Sequence, residues 1–213
     1  MASSLWLAAS SSVCTLPASP PVVQVIVKPS VPQQVFVEER ELYAMNPAVQ
    51  PELREYNGGV VGAVTEANWS YEILRKTDYY ETEGGGFCTW YKELIITIKP
   101  VKKIVVDERW RNKKCMMGLI VEHEMMHVDA FDITLDAIVP DLERDVGDFL
   151  VRIGAELHSP EFFYNTDMAI YGLIDRAHRK WSLAWVETGR QIDLASLDEA
   201  RKGAYPCGKN YER

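Results

Sequence analysis

Apolar positions alternate with polar ones in short runs from residue 58 to about 106. Beyond Trp110 they recur every three or four residues, so a strand-forming stretch is followed by a helix-forming one. Residues 60–64, 69–74, 87–98 and 104–106 read as strands. The last two are separated by Lys99-Pro100-Val101-Lys102-Lys103, whose composition predicts a hairpin turn. Within 93–99, Leu94, Ile96 and Ile98 alternate with Glu93, Thr97 and Lys99, but Ile95 breaks the pattern. That strand is therefore expected to be covered on both faces for part of its length. The glycines 84–86 form a flexible turn before it; no helix follows them, so they do not form a phosphate cradle.

The helical half begins at 113–137, with Met116, Leu119, Ile120, Met126, Ala130, Phe131 and Leu135 on one face. Pro140 is expected to stop this helix, and Asp141 to cap a second one through about Leu157 with Leu142, Val146, Phe149, Leu150 and Ile153 buried. Ser159-Pro160 opens a further segment, in which 166–185 and 193–202 read as two helices.

Residues 15–58 hold seven of the eleven prolines, between short Val-rich runs such as 22–27. Proline removes amide donors and fixes φ, so this stretch does not read as a central sheet strand over its length. It reads instead as an extended arm that wraps its own domain or lies on a neighbour. The expected organisation is an arm over 1–57 and one α+β domain over 58–213, a small mixed or antiparallel sheet followed by helices. A chain of 213 residues buries one core.

Charge narrows the partners. The 31 acidic and 23 basic residues leave a net charge of -8, which repels polyphosphate and argues against nucleic acid. No apolar run is long enough to span a bilayer. Residues 1–20 match a secretion signal poorly, since no basic residue precedes Lys28. Cys14, Cys88, Cys115 and Cys207 have no CxxC spacing, which excludes a zinc ribbon or a thioredoxin-type site. They are either reduced thiols or two disulfides; Cys88 with Cys115 is the better pair because both flank one predicted strand-strand-helix unit, leaving Cys14 with Cys207.

The sharpest signal is His123-Glu124-Met125-Met126-His127 in the middle of the first helix. Positions i and i+4 stand one above the other about 6 Å apart, so both imidazoles can face one ion. Nitrogen ligands on a rigid helix suit Zn²⁺ with one position left open, beside which Glu124 would act as general base toward the attacking water. The bland alternative is a surface helix with two incidental histidines.

These residues, with Cys88 on a preceding strand and Cys115 at the start of the motif helix, resemble the zincin metallopeptidases. More narrowly they resemble bacterial HExxH proteins predicted to be zinc proteases. The resemblance covers about residues 86–138 and implies a zincin-like fold with an edge strand above the metal, expected at 104–108, that binds an extended peptide. The long metzincin signature is absent, because Ala130 and Ile133 stand where its glycine and third histidine would be.

For the third ligand His158, directly after the second predicted helix, is the first choice. Glu143 and Glu156 offer a glutamate from a following helix, while Asp167 reads better as a helix cap. Asp129, Asp132 and Asp136 are candidates to orient a ligand histidine, or else form a solvated face. Tyr164 and Tyr171 are candidates to stabilise an oxyanion, or else are structural. His178 sits on a basic helical surface and is not expected to bind metal.

The expected function is zinc-dependent hydrolysis of an amide bond in a peptide or a peptidoglycan peptide. The alternative is a structural subunit of a larger assembly, a virion or secretion machine, docked through the arm as a homo- or hetero-oligomer. Either suits an extracytoplasmic or virion-associated protein.

Overall fold

The computed structural model describes residues 14–15, 19–45, 62–201 and 207. Residues 1–13 and 46–58, on which the leader reading and part of the arm fall, lie outside them. Among the described residues the chain is a mixed α/β protein with a five-stranded sheet and three helices. In order these are β1 (Val22–Val27), β2 (Gln33–Val37), α1 (Glu39–Met45), β3 (Ala63–Glu81), β4 (Phe87–Asp107), a 3₁₀ turn (Glu108–Trp110), α2 (Lys114–Ile153), β5 (Glu156–Leu157) and α3 (Pro160–Arg201).

β4 is the centre of the sheet. β3 pairs antiparallel along one edge, from Ala63 opposite Val106 to Glu81 opposite Phe87. Because that edge is filled, β5, β1 and β2 all lie on the other, end to end. β5 pairs antiparallel with Cys88 and Thr89, whereas β1 pairs parallel with Glu93–Ile98 and β2 with Lys103–Asp107. The two Val-rich runs of the expected arm are thus strands of this sheet, on its outer side, where prolines between them cost no ladder bonds. The 57/58 boundary does not separate them from the rest.

The expected hairpin turn at 99–103 does not form, and β4 runs straight through it. Pro100 faces Trp69 across the β3 ladder. On its other edge it falls between Ile98 and Lys103, where neither β1 nor β2 pairs, so its missing amide leaves no partner unsatisfied there. Lys102 points inward and is buried, its Nζ held by both carboxylate oxygens of Asp132 at 2.9 and 2.8 Å. The hairpin turn is at the glycines instead: Thr82 N donates to Gly86 O at 2.7 Å, Gly86 N donates to Thr82 Oγ1 at 3.1 Å, and Gly85 takes φ 78°, a conformation glycine adopts without cost. With β4 paired on both sides, residues 104–107 are interior and are not the edge strand expected there.

Both long helices also outrun their predicted stops. α2 continues through Pro140, an exposed position, at the loss of one helical hydrogen bond and about 3 kcal/mol. The stripe Leu135, Ile138, Leu142, Val146 and Leu150 is unbroken across it. Each of these buried side chains contributes about 1.5–3 kcal/mol, so tertiary packing outweighs the proline. α3 begins as expected, with Ser159 Oγ accepting from Phe162 N at 3.1 Å and proline in the first turn, but it runs on as one helix to Arg201. The main core lies between sheet and helices: Leu94, Ile96 and Ile98 meet Phe131, Leu135 and Ile138 of α2 and Ile170, Ile174 and Trp181 of α3.

The cysteines pair as Cys14–Cys88 and Cys115–Cys207, not as Cys88–Cys115. A continuous β4 explains the correction. At about 3.3 Å per residue it puts Cys88 roughly 60 Å from the far end of the strand, beyond which Cys115 lies, whereas a disulfide needs Cα atoms within about 7 Å. No helix among the described residues is long and apolar enough to cross a membrane.

Candidate metal centre

α2 sets the two histidines of the motif one turn apart, and their rings come together with centroids 4.9 Å apart. The Nε2 atoms of His123 and His127 are 3.2 Å apart. A third donor arrives from α3: Asp193 Oδ1 lies 3.0 Å from His127 Nε2 and 3.2 Å from His123 Nε2. Among the described residues this is the one set of three or more His, Cys, Asp or Glu side chains placed to share a cation.

α3 reaches the site through a single helical stripe. Trp185, Gly189, Asp193 and Ser196 are spaced by four, four and three residues, hence on one face. Trp185 Nε1 donates to the His127 carbonyl at 3.2 Å, and Ser196 Oγ lies 3.0 Å from His123 Nδ1. If Nε2 of His123 faces an ion, Nδ1 carries the proton and donates to Ser196, which fixes the tautomer a metal ligand needs. Gly189 lets the helix approach: a Cβ there would stand 3.2 Å from His127 Nδ1. Glycine inside a helix costs about 1 kcal/mol relative to alanine, and here it leaves room for that close contact.

Glu124 lies on the same helix and is buried, 6% exposed. Its carboxylate accepts a 2.7 Å hydrogen bond from Thr65 Oγ1 at the start of β3. Burial pushes the Glu124 carboxyl above its ordinary value, against the pull of Thr65 and the two histidines. Asp193 goes the other way: burial would raise it, but the hydrogen bonds and charges of His123 and His127 bring it down to about 2. Burial pulls the His127 imidazole down, and the bond to Asp193 with the charges of Glu124 and Asp193 more than reverses this. One carboxyl is thus poised to take a proton and the other is held ionised, two roles separated by environment.

The donor set fits a divalent cation of the zinc type. Ligand distances of about 2.0–2.1 Å in a tetrahedron give edges of about 3.3 Å, close to the 3.0–3.2 Å triangle found here. Two imidazoles and one carboxylate fill three positions, the arrangement of a site that keeps one open, whereas structural zinc sites are closed by four protein ligands.

The structure brings His123, Glu124 and His127 together as expected, but His158 stands elsewhere. Its backbone N–H donates to Phe87 O at 2.7 Å and its ring packs on Phe163, which ties it to the hairpin end of the sheet. The other candidates are also engaged away from the histidines. Glu143 accepts from Val25 N, Glu156 pairs in β5, and Asp167 holds Tyr91 and Arg75. Asp132 serves Lys102, and no imidazole contact is made by Asp129, Asp132 or Asp136. Tyr164 is exposed and Tyr171 packs against Tyr71, while His178 bonds to Asn68. In the sequence Asp193 reads only as the start of a helix. No local signal singles it out: Gly189 stands one turn before it, but Gly172 also lies inside α3 with nothing near its Cβ position. Compared with protein-family models, with curated proteins and with solved structures, the chain matches none.

Proposed function

We propose that this protein is a zinc-dependent hydrolase of the zincin type that cleaves amide bonds, with His123, His127 and Asp193 as metal ligands and Glu124 as general base. The observation that carries the reading is the near-equilateral triangle of His123 Nε2, His127 Nε2 and Asp193 Oδ1 beside a buried carboxyl. A zinc ion held there supplies a Lewis acid that polarises a carbonyl and lowers the pKa of water. Glu124 takes the proton from the attacking water and returns it to the leaving amine. Its raised pKa suits both halves of that task. Thr65 fixes the carboxylate through Oε2, and Ser196 fixes the His123 ring.

An extended peptide is the substrate class that best suits the surroundings. The outer edge of β3 has no ladder partner among the described residues, and near its start Thr65 contacts Glu124. Its free N–H and C=O groups can pair with a substrate backbone while the scissile bond lies over the site. Two disulfides persist best in an oxidising compartment, which favours an extracytoplasmic location and substrates found there, exported proteins or peptidoglycan peptides. The alternative, a structural subunit docked through the arm, draws less support from the described residues, because β1 and β2 pair within this chain's own sheet.

Elemental analysis with digestion of unfolded protein and of peptidoglycan peptides, read by mass spectrometry, tests the reading. Wild type should carry one zinc per chain and cleave one substrate class; Glu124→Gln should keep the zinc and lose cleavage. A chain purified and dialysed with zinc that retains none overturns it.

A further inference from the structure

The part of α3 that delivers Asp193 and Ser196 has little apolar packing of its own. The contribution of α3 to the main core ends at Trp185. From 186 to 198 only Gly189 and Leu197 are buried, while Val186 is 62% exposed and Leu194 is 36% exposed. Segments with few buried apolar contacts open locally at low free-energy cost, so this end of the helix would fray without another restraint. Beside its polar contacts to the histidines, a covalent restraint is present. Cys115, in the first turn of α2, is bonded to Cys207, just beyond the end of α3 at Arg201. The ring it closes contains His123, Glu124, His127 and Asp193.

The two disulfides differ in access. Cys115 is exposed and Cys207 half-buried, whereas in the other pair Cys14 is half-buried and Cys88 fully buried at the hairpin end of β4, remote from the histidines. A reductant in solution therefore meets the bond beside the site first.

We propose that Cys115–Cys207 is a redox latch on the metal centre, an inference that rests on the metal-site reading above. Oxidised, it holds the end of α3 against the start of α2 and keeps Asp193 at the two imidazoles. In reduction a dithiol supplies two electrons and two protons; the Cys115–Cys207 bond breaks to two thiols and the dithiol closes to its own disulfide. The end of α3 is then free to fray, so Asp193 and Ser196 are no longer held firmly at the imidazoles and the cation is bound less tightly. The same bond makes the site dependent on an oxidising compartment.

The test is zinc affinity of the full chain, by competition with a chromophoric chelator, beside hydrogen exchange across residues 186–198. Cys115→Ser/Cys207→Ser should bind zinc on the order of 10–100-fold more weakly, the range lost when a ligand's support is removed, and should exchange faster in that segment. Cys14→Ser/Cys88→Ser should match wild type in both measurements at the site. Because a double variant can fail to fold, wild type mildly reduced with a water-soluble phosphine is measured too; it should show the same loss, reversed on reoxidation. Zinc held equally well by wild type, by the Cys115→Ser/Cys207→Ser variant and by the reduced chain overturns the latch alone. Wild type that binds no zinc overturns the metal reading and the latch with it.

Discussion

Asp193 Oδ1 lies 3.0 Å from His127 Nε2, across 66 residues of sequence and from the opposite long helix. That contact makes the third corner of the candidate centre and joins α3 to the motif helix. It also gives His127 a charged partner on another helix.

Asp193→Ala should therefore abolish tight zinc binding, by more than the ~10–100-fold that follows loss of an outer partner. His158→Ala should leave zinc affinity unchanged, since His158 is held at the hairpin end by Phe87 and Phe163. Isothermal titration of the two variants beside wild type decides between them; a loss confined to His158→Ala would return the third position to His158.

Gly189→Ala separates helix stability from site geometry. Alanine favours the helix by about 1 kcal/mol, but its Cβ would sit 3.2 Å from His127 Nδ1, so the ring must move by a few tenths of an ångström. The expected result is a thermal midpoint in the metal-free state that is not lowered, together with zinc binding weakened on the order of tenfold. Unaltered affinity would mean that the ring has room to spare.

In the metal-free protein the Asp193–His127 pair gives stability a defined pH window. Asp193 is lowered to about 2 on folding, so its contribution is full above its unfolded value of about 3.9 and is lost as pH falls toward 2. His127 is raised, so its contribution is full below about 6.5 and is lost as pH rises through its folded value. The stability gap between wild type and Asp193→Asn, measured by thermal unfolding in a metal chelator, should be widest between about pH 4 and 6.5 and narrow on both sides. A gap independent of pH would show that the pair is not ionised as described.

Much of this architecture is readable in local pattern. The order of strands then helices, the alternation at Leu94, Ile96 and Ile98, the stripes on both sides of Pro140 and the Ser159-Pro160 helix start all survive in the structure. They are local consequences of side-chain period and capping. What the pattern misplaced were the breaks. Lys99–Lys103 looks like a turn and Pro140 like a stop, because composition records the cost of a residue and not the packing that offsets it. Pro100 falls in a gap between two neighbouring strands, and Pro140 is carried by an unbroken buried face.

The motif His123-Glu124-Met125-Met126-His127 needed no tertiary information, since helical geometry alone turns i and i+4 the same way. Its third partner, the pairing of four cysteines and the role of Thr65 depended on which distant segments meet. Asp193 is one acidic residue among many on a polar helix, and only the antiparallel packing of α3 on α2 selects it. Spacing along a helix is fixed by the backbone, whereas contact between helices is fixed by the whole core, and no single stretch of chain contains that.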